Sequence, residues 1–173
     1  MKATLELINQ MQADGVIGKY AIGGAVGATF YLPPSATVDV DIFATIPSQA
    51  EPLLNLSPIY EYLKARGCRE EDEYIVVGDW PVQFLPPSDE LDREAIAESV
   101  SVEIEGTRTW VMTAEHLVAI ALRTGRPKDR SRVLQFFEQE AVDRTKLQRI
   151  IQQHGLILKW NQFKQRYVDC EHE

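Results

Sequence analysis

Residues 36 to 46 read Ala-Thr-Val-Asp-Val-Asp-Ile-Phe-Ala-Thr-Ile, β-branched and apolar except at Asp39 and Asp41. A run of this kind predicts a strand in a largely buried sheet. An ionised carboxylate is costly in such a setting, and residues i and i+2 of a strand project to the same face, about 7 Å apart. Two charges therefore repel on one side of the ribbon, and something must offset them. A divalent cation does so directly, because magnesium takes hard oxygen ligands from one or two carboxylates and fills its other positions with water and phosphate. Asp39 and Asp41 are thus a candidate metal platform; the alternative is a pair of solvated aspartates near a sheet edge.

The preceding segment bears on that choice. Tyr20-Ala21-Ile22 predicts a short strand that runs into Gly23-Gly24, and Ala25 to Tyr31 predicts a buried helix stopped by Pro33-Pro34. A diglycine between strand and helix lets a phosphate approach backbone N–H groups at the positive end of the helix. The alternative here is a tight turn and nothing more.

Around this stretch the periodicity predicts a helix over 2–14, ended by Asp14-Gly15, and another over 56–66 with Gly67 after it. Strands are expected at 74–77 and 82–85 around Gly78-Asp79, a helix at 91–98, and a strand pair at 101–105 and 107–112. After Thr113, an expected N-cap, the pattern is wholly helical, with helices near 113–124, 129–139, 143–154 and 157–168. The fold class is α/β (α+β), a small mixed sheet flanked by helices with a helical C-terminal segment. The expected domains are 1–112, the sheet, and 113–173, the helices.

With 173 residues, 45% of them hydrophobic and 25% charged, the chain can bury a real core and is neither disordered nor of low complexity. No apolar run is long enough to span a membrane. Two cysteines, Cys68 and Cys170, do not make a disulfide framework, and Met1 to Gly15 has no signal-peptide apolar core, so a cytoplasmic protein is expected. The net charge of -8 is unevenly distributed: residues 51–105 hold 14 acidic and 4 basic side chains, residues 108–166 hold 5 acidic and 12 basic. The basic half could face a polyanion or simply be solvated. Within it, Arg123, Arg126, Lys128, Arg130 and Arg132 cannot all share one helix face.

The order Ile22-Gly23-Gly24, a helix, then Thr37-Val38-Asp39-Val40-Asp41-Ile42, with 14 residues between Gly24 and Asp39, resembles the nucleotidyltransferase superfamily of the DNA-polymerase-beta-like fold. The likeness is nearest to small bacterial stand-alone members similar to abortive-infection toxin nucleotidyltransferases. It extends to Thr113-Ala114-Glu115-His116-Leu117 and to Thr124-Gly125-Arg126-Pro127-Lys128-Asp129, covering roughly residues 15 to 135.

The resemblance implies that Gly23 and Gly24 cradle a nucleoside triphosphate with help from Thr37, and that Asp39 and Asp41 bind Mg2+ and are catalytic. Lys128 and Asp129 would belong to the helical wall of the cleft, Lys128 as a phosphate contact. The implied reaction is transfer of a nucleoside monophosphate, ATP being one such donor, to an acceptor hydroxyl on RNA or protein. Metal-assisted in-line displacement would drive it.

The sequence departs from the family pattern in one chemically important place. A third carboxylate is expected on a later strand, and the counterpart here is Gln83, whose neutral amide is neither a general base nor a charge for the metal. Ala121 also stands where another Lys is expected. The alternative reading is a catalytically degenerate nucleotide-binding or interaction protein, such as a partner in a toxin-antitoxin pair. His116 is expected to pack or cap, His154 to end a helix, and Trp80 and Trp110 to belong to the core. No His/Cys cluster has zinc spacing.

Overall fold

The computed structural model describes residues 1–34, 39–47 and 55–167. The chain divides into two compact units, Met1–Gly27 with Ser35–Met112 and Ala28–Pro34 with Thr113–Glu173.

The first unit is built on a sheet of seven strands: β1 (Tyr20–Ile22), β2 (Val40–Ala44), β3 (Arg69–Glu71), β4 (Tyr74–Val77), β5 (Trp80–Leu85), β6 (Val100–Ile104) and β7 (Thr107–Val111). Their order across the sheet is β3-β4-β5-β2-β1-β7-β6. The β2/β5 and β1/β7 pairs are parallel and the others antiparallel, so the sheet is mixed, as the sequence predicts.

Alternation sorts the residues of the central strands onto two faces. Val40, Ile42 and Ala44 of β2 are buried, as are Val82 and Phe84 of β5 and Ile75 and Val77 of β4. Asp41, Gln83 and Tyr74 fall on the opposite, half-buried face. The apolar spacing of α1 (Lys2–Ala13) places Leu5, Ile8 and Met11 in the core against β4 and β7. Its Thr4 hydroxyl donates to the Val77 carbonyl at 2.8 Å, so a buried polar group is satisfied at the sheet. The helices α3 (Ser57–Lys64) and α4 (Glu90–Ala97) complete the unit, and α4 is capped by Asp89, which accepts from the Asp92 N–H.

In the second unit, α5 (Ala114–Thr124), α6 (Pro127–Glu138), α7 (Arg144–Gln153) and α8 (Ile157–Tyr167) form a helical bundle. Val118, Val133, Phe136, Ile150 and Ile151 are among its most buried side chains. Glu115, itself buried, accepts from the Asp143 N–H at 2.9 Å and lies 3.7 Å from Lys146, tying α5 to the start of α7.

Three expectations are revised. The helix expected over 25–31 is the shorter α2, Gly24–Ala28, and the chain continues in turns through Leu32. Arg69–Glu71 is a strand that the sequence did not suggest, since all three side chains are charged and exposed. Backbone pairing with Tyr74–Val76 holds it, and charged side chains suit an edge strand. Thr113 stands at the N-cap of α5, but its hydroxyl meets His116 Nδ1 at 2.8 Å rather than capping the helix. His116 is fully buried, as a packed residue would be. Of the strand expected over 36–46, residues 36–38 lie outside the described residues. Among the described residues, no helix is long and apolar enough to cross a membrane.

Candidate active site

The two aspartates lie at the start of β2, where the parallel partner β5 brings in a neighbour. Register pairs Val40 with Val82 and Asp41 with Gln83. Aligned residues on adjacent strands share a face, so the Gln83 amide stands next to the Asp41 carboxylate. Ile75 of β4 pairs with Val82, and one further step in register sets Tyr74 beside Gln83. Across three strands the half-buried face therefore carries the row Tyr74, Gln83, Asp41, with Asp39 two residues before Asp41 on the same side.

Electrostatics places Tyr74 in this group independently. Its phenol is pushed above the ordinary tyrosine value, first by the negative charge of Asp39 and then by desolvation, Glu73 and Asp41. Both aspartates therefore lie near enough to Tyr74 for their charge to act on its phenol.

The diglycine borders Asp41. The Gly23 N–H donates to the Asp41 carbonyl at 3.0 Å, continuing the β1/β2 ladder past Ile22. Gly24 has φ of +56°, which favours glycine, and a Cβ there would overlap Asp41 Oδ2. Both backbone conformation and space exclude a side chain at residue 24. A Cβ on Gly23 would come 2.6 Å from Phe43 Cε2 and 3.3 Å from Met112 Sδ, so Gly23 is also required for close packing. The Gly27 N–H donates to the Gly23 carbonyl at 2.8 Å and opens the helical turn.

The donor set suits magnesium: two carboxylates and a neighbouring amide oxygen, all hard ligands, on a face that is neither fully buried nor flat against water. Asp39, Asp41, Gly23 and Gly24 of the sequence-derived site are thus brought together. Thr37 lies outside the described residues. Lys128 belongs to the second unit, exposed on α6. Its neighbour Asp129 is 2% exposed and holds a structural ion pair, accepting from Arg126 Nε at 2.7 Å with Arg132 at 3.7 Å. The basic run therefore includes two arginines already engaged by one carboxylate.

Sequence reasoning missed Tyr74, since only the β4/β5 register reveals its place. Trp110 meets Tyr20 edge-on at 5.4 Å, in keeping with a structural role. Tyr20 is fully buried, with its hydroxyl donating to Asn9 Oδ1 and close to Thr109 Oγ1. Cys68 is a half-buried free thiol whose pKa burial pushes up, so it is not activated. Cys170 lies outside the described residues.

No protein-family model and no curated protein matches the chain. Solved structures do. An antigenic nucleotidyltransferase-like protein from Paracoccidioides brasiliensis superimposes with a TM-score of 0.55 at 12% identity, over 80% of this chain and 75% of that one. The antibiotic-resistance factor ANT(2'')-Ia matches in its solution structure with a TM-score of 0.47 and 18% identity, over 99% and 95% of the two chains. Its crystal structure with adenylyl-2''-tobramycin matches with a TM-score of 0.44 and 16% identity, over 95% and 98%. On the first of these likenesses, together with the seven-stranded mixed sheet and its flanking helices, the chain has a nucleotidyltransferase-like fold.

Proposed function

We propose that the protein is a magnesium-dependent nucleotidyltransferase, which moves a nucleoside monophosphate from a nucleoside triphosphate to an acceptor hydroxyl on RNA or protein and releases pyrophosphate. The observation that carries this reading is the position of the Asp41 carboxylate over the bare Cα of Gly24. It puts a metal-binding oxygen beside a backbone stripped of side chains, where a polyphosphate can approach.

In this reading Asp39 and Asp41 hold Mg2+, and Gly23 and Gly24 let the Asp41 carboxylate lie directly against the backbone at the end of β1, where the metal-bound phosphates come. The metal, when bound, neutralises the phosphate charge and lowers the pKa of the attacking hydroxyl. The chain's own residues orient and exclude: Phe43 closes the side of the diglycine, and Tyr74 borders the two aspartates. A cytoplasmic setting and a toxin-like role belong to the same proposal.

One observation favours a second reading, a catalytically silent nucleotide-binding or interaction protein. The strand position aligned with Asp41 holds Gln83, so an amide occupies the place of a third negative charge. Calorimetric titration with each nucleoside triphosphate, with and without magnesium, tests what the two readings share. Affinity that requires the metal and disappears in Asp39→Ala with Asp41→Ala supports the site; metal-independent or absent binding removes it. Transfer of label from α-phosphate-labelled nucleotide to RNA or protein, abolished in the same variant, then separates enzyme from silent binder.

A further inference from the structure

The helical unit contains a cavity of about 220 Å³ between α5, α6 and α8. Its apolar wall comes from Leu122, Val133 and Phe163, and the polar side chains around it include Arg130, Lys159 and Arg166. Among the described residues, no carboxylate lines it. Among the described residues, no Asp or Glu forms an ion pair with any of these three cations.

The cations are oriented by other contacts. Lys159 Nζ donates to the Arg123 carbonyl near the end of α5. Arg130 Nη1 donates to the Tyr167 hydroxyl at 3.4 Å, and the Arg166 guanidinium lies 5.6 Å from the Tyr167 ring. A guanidinium has five N–H donors in a planar fork that matches carboxylate or phosphate, so Arg130 and Arg166 keep most of theirs for a ligand.

Size narrows the ligand. A cavity of about 150 Å³ holds one benzene ring, and sites for drug-sized molecules start at about 300 Å³. A space of 220 Å³ therefore suits one ring, or an equivalent apolar body, plus a single charged head.

We propose that this cavity is a binding site for a small organic anion, a carboxylate or phosphate monoester on an apolar or aromatic body. The body packs against Leu122, Val133 and Phe163, and the head meets Arg130 and Arg166 with Lys159 beside them. The site uses no residue of the proposed nucleotide centre and stands apart from that reading.

Calorimetry or ligand-observed NMR on the full chain tests this, with phenyl phosphate and benzoate as probes and benzyl alcohol and inorganic phosphate as controls. We expect saturable binding of at least one probe, at least tenfold tighter than either control, and the tighter probe identifies the head group. Arg166→Gln, at an exposed position, and Arg130→Gln should each weaken it at least fivefold. Asp39→Asn with Asp41→Asn should leave it unchanged, which separates this site from the nucleotide centre. Any of four results overturns the proposal: no saturable binding of either probe, equal binding of inorganic phosphate, no response to Arg166→Gln, or loss of binding in the double aspartate variant.

Discussion

Asp41 Oδ2 occupies the space that a side chain on Gly24 would need, and Gly24 itself has φ of +56°. The metal-binding candidate and the diglycine are therefore one packed unit, in which neither partner can change without moving the other.

Substitution of Gly24 by Ala meets two separate penalties. A left-handed backbone costs an L-residue about 1–2 kcal/mol, and the new methyl must displace the Asp41 carboxylate. Gly15→Ala is the matched control, since Gly15 has φ of +75° with nothing near the Cβ position. Urea unfolding should show a loss of about 1–2 kcal/mol in Gly15→Ala and a larger loss in Gly24→Ala, where the displaced carboxylate adds to the backbone term. Magnesium-dependent nucleotide binding, read by calorimetry, should fall at least tenfold in Gly24→Ala and remain intact in Gly15→Ala.

Replacing Gln83 by Asp puts a third carboxylate on the strand aligned with Asp41, at the roughly 4.8 Å spacing of adjacent strands. Without metal the added charge should lower the melting temperature, and magnesium should restore more of it than in the parent. Gln83→Asn, of the same shape as the Asp but neutral, should show no such gain from magnesium. Thermal melts with and without the ion decide the matter; an equal magnesium response in all three proteins would contradict the proposed platform.

Asp129 anchors the first turn of α6 through Arg126 and Arg132 while almost wholly buried. Asp129→Asn keeps the shape and removes the charge. Breaking a buried pair costs about 3–5 kcal/mol, and Arg126 is exposed enough to be resolvated, so the expected loss is about 2 kcal/mol. Urea unfolding followed by circular dichroism measures it. A loss confined to nucleotide affinity, with stability unchanged, would instead assign Asp129 to ligand contact.

Tyr31 supplies a pH dependence. Its phenol is pushed up to about 12, first by burial and then by the negative charge of Glu115. The folded state binds this proton more tightly than the unfolded chain, whose tyrosines titrate near 10. The stabilisation is thus fully present below pH 10 and lost as pH rises towards 12. Because the side chain is only half-buried, solvent screening reduces the effect to about 1 kcal/mol. Tyr31→Phe should flatten the stability profile in that window, measured as the difference in unfolding free energy between variant and parent at pH 9 and pH 11.5.

Local patterns in the chain were enough for most elements. The spacing of Leu5, Ile8 and Met11 makes α1, and the alternation in 74–77 and 82–85 makes β4 and β5, because in each case one face must leave water. β3 was not legible, since Arg69–Glu71 has no apolar face and owes its strand to backbone bonds with β4. α2 is shorter than the small, apolar composition of 25–31 suggests, and Thr113 directs its hydroxyl to His116, a partner that N-cap preference does not foresee.

The candidate site divides in the same way. Two aspartates one residue apart on a strand, and two glycines after another strand, are statements about covalent order and side-chain period, and the chain alone determined them. Which residue stands beside Asp41, that a tyrosine shares its field, and that its carboxylate rests on Gly24 were decided only by the tertiary structure. Pairing of β2 with β5 and of β2 with β1 depends on the burial of whole strands, a cooperative choice that no local run of residues contains.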